Sequence, residues 1–395
     1  YTRDQLAPGH KVAGPAILIE PHQTIVVEDG WQAEVTAKNH LVLTRMTLLV
    51  RSHAIGTEAD PVMLEVFNNL FMSIAEQMGL RLQNTAYSVN IKERLDFSCA
   101  IFDSDGNLVA NAPHMPVHLG SMGASVRAVI EARGGRLSPG DSWLLNSPYH
   151  GGTHLPDMTV VTPVFIGGGE RADFFVASRA HHADIGGMTP GSMPPFSRTV
   201  EEEGALFECF HLVSGSTLRE RELRAALAAG RWPARQPSQN LADLRAQLAA
   251  NARGIAEIGR AVARYGLESL HERMREVQDN AALSVRNAIG EQMSGEFRYE
   301  MDGGQVIAVR IDIDRSARRA RVDFAGTSAQ GAHNFNAPRA VCLAAVLYVF
   351  RTLIERPIPL NEGCLEPLEI LVPPGSMLDP RPPAAVAAGN VETSQ

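Results

Sequence analysis

With 395 residues, 45% hydrophobic and 20% charged, the chain has the material for a large core and for two or more structural units. Its formal charge of −8, from 36 basic and 44 acidic side chains, and the lack of a basic patch with interleaved aromatics argue against nucleic acid as a partner. The longest apolar run, residues 341–350, is too short to cross a bilayer and ends at Arg351, so no membrane span is expected.

The four cysteines, Cys99, Cys209, Cys342 and Cys364, are scattered among apolar residues and form no close metal-type pair, which reads as buried free thiols in a reducing cytoplasm. In chain order, residues 1–45 read as a small β unit, with strand-like runs at 16–20, 24–27, 31–36 and 41–43 and a turn at Asp29-Gly30. Residues 46–59 follow as a linker. Asp60-Pro61 then opens a helix, Asp as cap and Pro in the first turn, and Leu64, Phe67, Leu70, Phe71, Ile74 and Met78 recur at helical spacing as a core stripe.

Lys92, Glu93, Arg94 and Asp96 precede an apolar strand that turns at Ser104-Asp105-Gly106 and returns over residues 107–110. These charges suit either a solvated run or an ionised substrate. His114 and His118 stand four apart, but Pro116 between them argues against a helical metal face. One His in a turn and the other capping a helix over residues 121–132 is an equal alternative.

The densest chemistry lies between Asn146 and Gly187. A strand over residues 158–165, a turn at Gly167-Gly168-Gly169 and a strand over residues 173–179 make a hairpin. Pairing centred on that turn sets Asp157 opposite His181 and His154 opposite Asp184, with Cβ atoms about 4.5–5.5 Å apart unless a bulge intervenes. Two imidazoles and two carboxylates at that separation suit a divalent metal with open positions. They equally suit metal-free proton transfer, and His and Asp at strand ends also cap turns. The flanking pairs Gly151-Gly152 and Gly186-Gly187 are expected to let a ligand approach the backbone.

Residues 186–195, rich in Gly and Pro, read as a lid or substrate-binding loop. Arg198 and the acidic run Glu201-Glu202-Glu203 follow; one inward-turned Glu acting as a base is the lesser alternative to a surface run. Residues 217–288 are largely helical, broken by Pro233 and Pro237, and read as scaffold or subunit contact. A third hairpin spans residues 305–323. Asn334, Asn336 and Arg339 precede an apolar helix over residues 340–354, as an anion or amide site or simply as caps. The fold class is therefore mixed α/β (α+β): antiparallel hairpins forming a central sheet with long flanking helices, plus a small N-terminal β unit.

Several motifs in order resemble the hydantoinase B/oxoprolinase family. They are Asn90-Ile91-Lys92-Glu93-Arg94 with Asp96-Phe97-Ser98-Cys99-Ala100, residues 112–122 around Pro113-His114-Met115-Pro116-Val117-His118, Gly151-Gly152-Thr153-His154-Leu155-Pro156-Asp157, and His181-His182-Ala183-Asp184-Ile185-Gly186-Gly187 with Pro190-Gly191-Ser192-Met193-Pro194. The resemblance runs on through Asn336-Ala337-Pro338 to residues 389–395, covering about residue 60 to the end. Residues 1–45 resemble the tail of the partner hydantoinase A-type module, as in fused 5-oxoprolinases. Asn146-Ser147-Pro148-Tyr149 leans the same way. Both ends read as cut, so the domain over 60–395 is expected to be truncated at its C-terminus.

The resemblance implies an enzyme that couples ATP hydrolysis to opening of 5-oxo-L-proline or a similar cyclic amide. ATP and Mg would belong to the A-type module, and this chain alone is expected to be inactive. A divalent ion (Zn, Mn or Mg) would sit on His154, Asp157 and His181, with Asp184, Asp96 and His118 as catalytic candidates. Arg94, Arg198 and Asn336 are the candidates for substrate contact, and a cytoplasmic homo-oligomer is expected. The rival expectations are a hydantoinase or ketone carboxylase B subunit on the same scaffold and a non-catalytic assembly module.

Overall fold

The computed structural model describes residues 1–21, 23–46, 60–112, 115–134, 136–354 and 360–394. The linker expected at 46–59 lies outside the described residues apart from Met46, and so does His114. The chain forms two compact units, Tyr1–His53 and Ala54–Gln395. Among the described residues no helix is long and apolar enough to cross a membrane.

The first unit is all β. Strands β1 (Lys11–Ala13), β2 (Ala16–Glu20), β3 (Gln23–Val27), β4 (Trp31–Val35) and β5 (Leu41–Arg45) form a β1-β4-β5 sheet and a β2-β3 hairpin. Val12, Leu18, Val27 and Ala33 make its core.

The second unit opens with α1 (Pro61–Thr85), capped as expected by the Asp60 carboxylate, which accepts the Val62 N–H at 2.9 Å. There follow α2 (Val89–Lys92), β6 (Phe97–Phe102), β7 (Leu108–Ala112), α3 (Pro116–Leu119), α4 (Met122–Arg133), β8 (Ser142–Leu145), β9 (Asp157–Val164) and β10 (Phe174–His181). Next come β11 (Phe210–Ser214), β12 (Thr217–Leu218), α5 (Glu220–Leu227), α6 (Pro237–Tyr265) and α7 (Leu267–Ile289). The chain continues through β13 (Gly295–Glu300), β14 (Val306–Asp314), β15 (Arg319–Asp323), α8 (Arg339–Thr352) and β16 (Leu368–Leu371).

A seven-stranded antiparallel sheet, in the order β12-β11-β8-β9-β10-β6-β7, is the centre of this unit. Both faces are covered. The α1 stripe of Leu64, Phe67, Phe71, Ile74, Met78 and Leu82 packs with α6 and α7 against Cys99, Ile101, Phe174 and Val176. On the opposite face, Met122, Val126 and Val129 of α4 cover Ala100, Phe102, Trp143, Val161, Phe175 and Ala177. Strands β6, β8 and β9 are consequently buried at every residue, which explains their near-continuous apolar runs in place of alternation. A second sheet, β13-β14-β15-β16, joins the ends of α7 and α8 in its own core.

The helical region differs from expectation in detail. It begins with the short strand β12, and Pro237 starts α6 rather than breaking a helix, because a missing N–H costs nothing at a first turn. Gly266, at φ +86°, separates α6 from α7. Among the cysteines, Cys99, Cys342 and Cys364 are buried, Cys209 is half-buried and all four are free.

Candidate metal centre

Hairpin register places the first pair of chemical groups. Asp157 and His181 are the last rung of the β9-β10 ladder, as the symmetry about the glycine turn requires. In a strand pair side chains alternate between faces, so Asp157, Thr159, Arg179 and His181 all emerge on the face that α4 covers. That face is apolar toward the hairpin turn and polar toward its open end.

Asp157 is the hub of the polar end. The His154 Nδ1 lies 3.1 Å from Asp157 Oδ2, the His118 Nε2 3.3 Å from Oδ2 and the His181 Nδ1 3.4 Å from Oδ1. The Thr153 hydroxyl donates to Oδ2 at 2.6 Å, and the His154 and His181 rings stand 4.9 Å apart. Behind them His118 Nδ1 meets Ser98 Oγ at 2.9 Å. At the rim, Asp96 Oδ2 is 3.8 Å from His181 Nδ1 and its side chain is 32% exposed. Arg94 is exposed on the same segment, close enough for its charge to act on His181.

Burial pushes Asp157 up, but the imidazoles of His154 and His118 outweigh it and hold the carboxyl well below the usual carboxylate range. Burial also pushes His154 down, and Asp157 only partly offsets it. For His181 burial acts downward too, yet the pull of Asp157 and Asp96 holds it above its ordinary value.

A divalent ion fits these residues. The ligand-type atoms of His154, Asp157 and His181 lie within 4.8 Å of one another. His154 Nδ1 and Asp157 Oδ1 are buried and make no well-aligned hydrogen bond, only ion-pair contacts within the cluster at 3.1 and 3.4 Å, a costly state for polar atoms that a cation would relieve. Two imidazoles and one carboxylate form a donor set that also leaves positions open.

Asp184 does not join the cluster. Pairing ends at Asp157 and His181, and His182 N–H instead bonds Pro156 O at 2.8 Å, so His154 and Asp184 never face each other. The Asp184 carboxylate accepts from the N–H groups of Gly186, Gly191 and Arg235 and from the Arg235 guanidinium at 2.8 Å. Burial raises its carboxyl, and these donors more than offset that. The glycine pairs are not open to a ligand either. A Cβ at Gly151 would lie 2.6 Å from the Ala124 carbonyl carbon, and one at Gly187 would lie 2.7 Å from the Glu203 backbone, so neighbouring chain occupies that space.

His118 does not cap a helix but is buried beside Asp157. Asn336 is consumed internally, donating to the carbonyls of Gly331, His333 and Ala385 and accepting from the Gly331 N–H. Arg198 is exposed, with no contact to the Asp157 cluster among the described residues. The loop over residues 186–195 is tied to its surroundings: Ser192 Oγ accepts the Ile185 N–H, and Pro194 O accepts from Asn334. Of the acidic run, Glu203 turns inward, where its carboxylate accepts from Ser197, Val386 and Ala387.

The expectations missed Thr153, Ser98 and Arg179. Arg179 left a signal, a lone cation in an otherwise uncharged strand buried at all but its last residue. Burial pushes its guanidinium down to about 10 while Asp157 holds it up.

The chain is 44% identical over its whole length to 5-oxoprolinase 1 of Arabidopsis thaliana and 43% identical over 99% of its length to 5-oxoprolinase of Saccharomyces cerevisiae. It spans 33% and 32% of those proteins, about a third of their length. Its fold matches the crystal structure of the ATP-dependent caprolactamase from Pseudomonas jessenii with a TM-score of 0.75, at 23% identity, over 86% of this chain and 59% of that one. The hydantoinase B/oxoprolinase family model matches residues 60–395, and the chain belongs to that family.

Proposed function

We propose that this chain provides the B-module site of an ATP-dependent cyclic amide hydrolase of the 5-oxoprolinase type, which opens 5-oxo-L-proline to L-glutamate with release of ADP and phosphate. The observation that carries this reading is the buried Asp157 with three imidazoles around it and two of the cluster's polar atoms lacking a well-aligned hydrogen bond. The 44% identity of the whole chain, including residues ahead of the family match, to a 5-oxoprolinase supports a fused enzyme in which residues 1–45 are the tail of an A-type module.

A five-membered lactam is a weak electrophile. Phosphorylation of its carbonyl oxygen, assigned here to the A-type module, activates the ring carbon: one water adds there and the C–N bond breaks with departure of the ring amine, leaving an acyl phosphate, and a second water then attacks that acyl carbon and releases phosphate to give the carboxylate. His154, Asp157 and His181 would hold the divalent ion, which when bound supplies Lewis-acid polarisation of water or of the acyl oxygen. Asp157 contributes a fixed negative charge, and His118, held by Ser98, fixes that carboxylate's orientation. We assign Asp96, partly exposed at the rim and 3.8 Å from His181 Nδ1, the role of taking the proton of the attacking water. Arg94 is the cation at the mouth suited to the substrate carboxylate. We assign no such role to Asp184 or Asn336, whose polar groups have internal partners.

In the full-length enzyme, His154→Ala should lower 5-oxoproline-dependent glutamate formation at least about 100-fold, the scale on which loss of a metal-activated or acid/base step acts. Glutamate formation at the wild-type rate in that variant would overturn the reading.

A further inference from the structure

Arg179 is fully buried, yet among the described residues its guanidinium hydrogen-bonds four neutral oxygens and no carboxylate. Nε donates to Thr159 Oγ1 at 2.8 Å, Nη1 to Ser121 Oγ, and Nη2 to Ser125 Oγ at 2.7 Å and to Gly151 O at 3.1 Å. Ser125 Oγ in turn donates to Gly151 O at 2.6 Å, closing a small network.

The positions of these partners are what give the network meaning. Thr159 is two residues after Asp157, Ser121 three after His118, and Gly151 three before His154, while Arg179 itself is two before His181. One side chain thus ties together the four chain segments that bring the cluster together. Only a planar fork of five donors spans four acceptors in this way; an ammonium has three donors around a single atom. Burying a guanidinium without a direct counter-ion is costly, and Asp157, emerging on the same face, is the acid whose charge acts on it.

We propose that Arg179 is the positioning residue of this site, setting the mutual placement of His118, His154, Asp157 and His181 through its bonds to α4, the Gly151 loop and β9. The proposal rests on the reading of that cluster as a divalent-metal site. Arg179 acts through the ligands and touches no substrate.

The test is Mn²⁺ binding by the whole chain, with the electron paramagnetic resonance spectrum of the bound ion, for wild type, Arg179→Lys and Arg179→Met. Thermal unfolding of each metal-free protein is followed alongside. Both variants should bind Mn²⁺ about 10- to 100-fold more weakly and show an altered spectrum, the usual effect of losing a residue that orients ligands. Lys should fail to restore affinity although it keeps the charge. Thr159→Val and Ser125→Ala each cut one link while keeping the cation, and each should weaken binding several-fold. If the Arg179 variants do not fold, these two decide. Unchanged affinity and spectrum in the Arg179 variants, or in Thr159→Val and Ser125→Ala where only those fold, would overturn the positioning role. A wild-type chain that binds no Mn²⁺ would overturn the metal reading itself, and the positioning role with it, before any variant is compared.

Discussion

Glu203 shows how one buried group makes stability depend on pH. Its carboxylate accepts from Ser197 Oγ at 2.7 Å and from the N–H groups of Val386 and Ala387, both at 2.9 Å, joining the segment after residue 383 to the 197–203 turn. Burial pushes the group up to about 7 against those three donors. A folded pKa raised above the unfolded one contributes stability in full below the unfolded value, and that contribution is lost as pH rises through the folded value. Between pH about 4.5 and about 7 this group alone should cost on the order of 3 kcal/mol. Glu203→Gln should therefore flatten the fall in urea midpoint between pH 5 and pH 7.5, and an identical slope in both proteins would contradict the assignment. At this scale the metal-type trio was legible from two His-x-x-Asp quartets, since β pairing has period two and a turn fixes its centre. Asp184 was misplaced because its partner Arg235 is 51 residues away, a distance no local pattern reports.

The loop that precedes the hairpin packs closely against α4 at Gly151. Gly151 adopts φ +84° with its Cα against the α4 backbone, so a side chain there is both strained and obstructed. Gly151→Ala should destabilise the chain by about 2 kcal/mol or more and weaken divalent-ion binding at His154 three residues on. An unchanged denaturant midpoint would show that α4 can shift to make room. Helix α1, with its cap and stripe, was readable in sequence, and so were the three hairpins. The order of the seven strands was not, because partners such as β8 for β9 and β6 for β10 are chosen by tertiary packing on two covered faces. Helix α6 carries a further device that periodicity alone hides. Gln247, buried on it, donates to the carbonyls of both Met158 and Ser178 and also meets His182, seating the helix across the hairpin.

On the scale of the whole molecule, residues 1–53 and 54–395 have separate cores. The smaller unit relies on Val12, Leu18, Val27 and Ala33, and so few buried side chains leave it marginal. Leu18→Ala should cost about 2–5 kcal/mol there. Amide exchange should then lose protection in β2, β3 and β4 while β9 and β10 keep theirs; loss in β9 and β10 would show that the cores are coupled. Among the described residues, the Asp157 cluster is drawn from residues 94–181 of the larger unit. The central claim is that this cluster binds a divalent ion, and elemental analysis of the chain, purified without a metal-affinity column and compared with Asp157→Asn, tests it most directly. The account predicts one divalent ion per wild-type chain and none in the variant. A metal-free wild type, or an ion retained by Asp157→Asn, would contradict it.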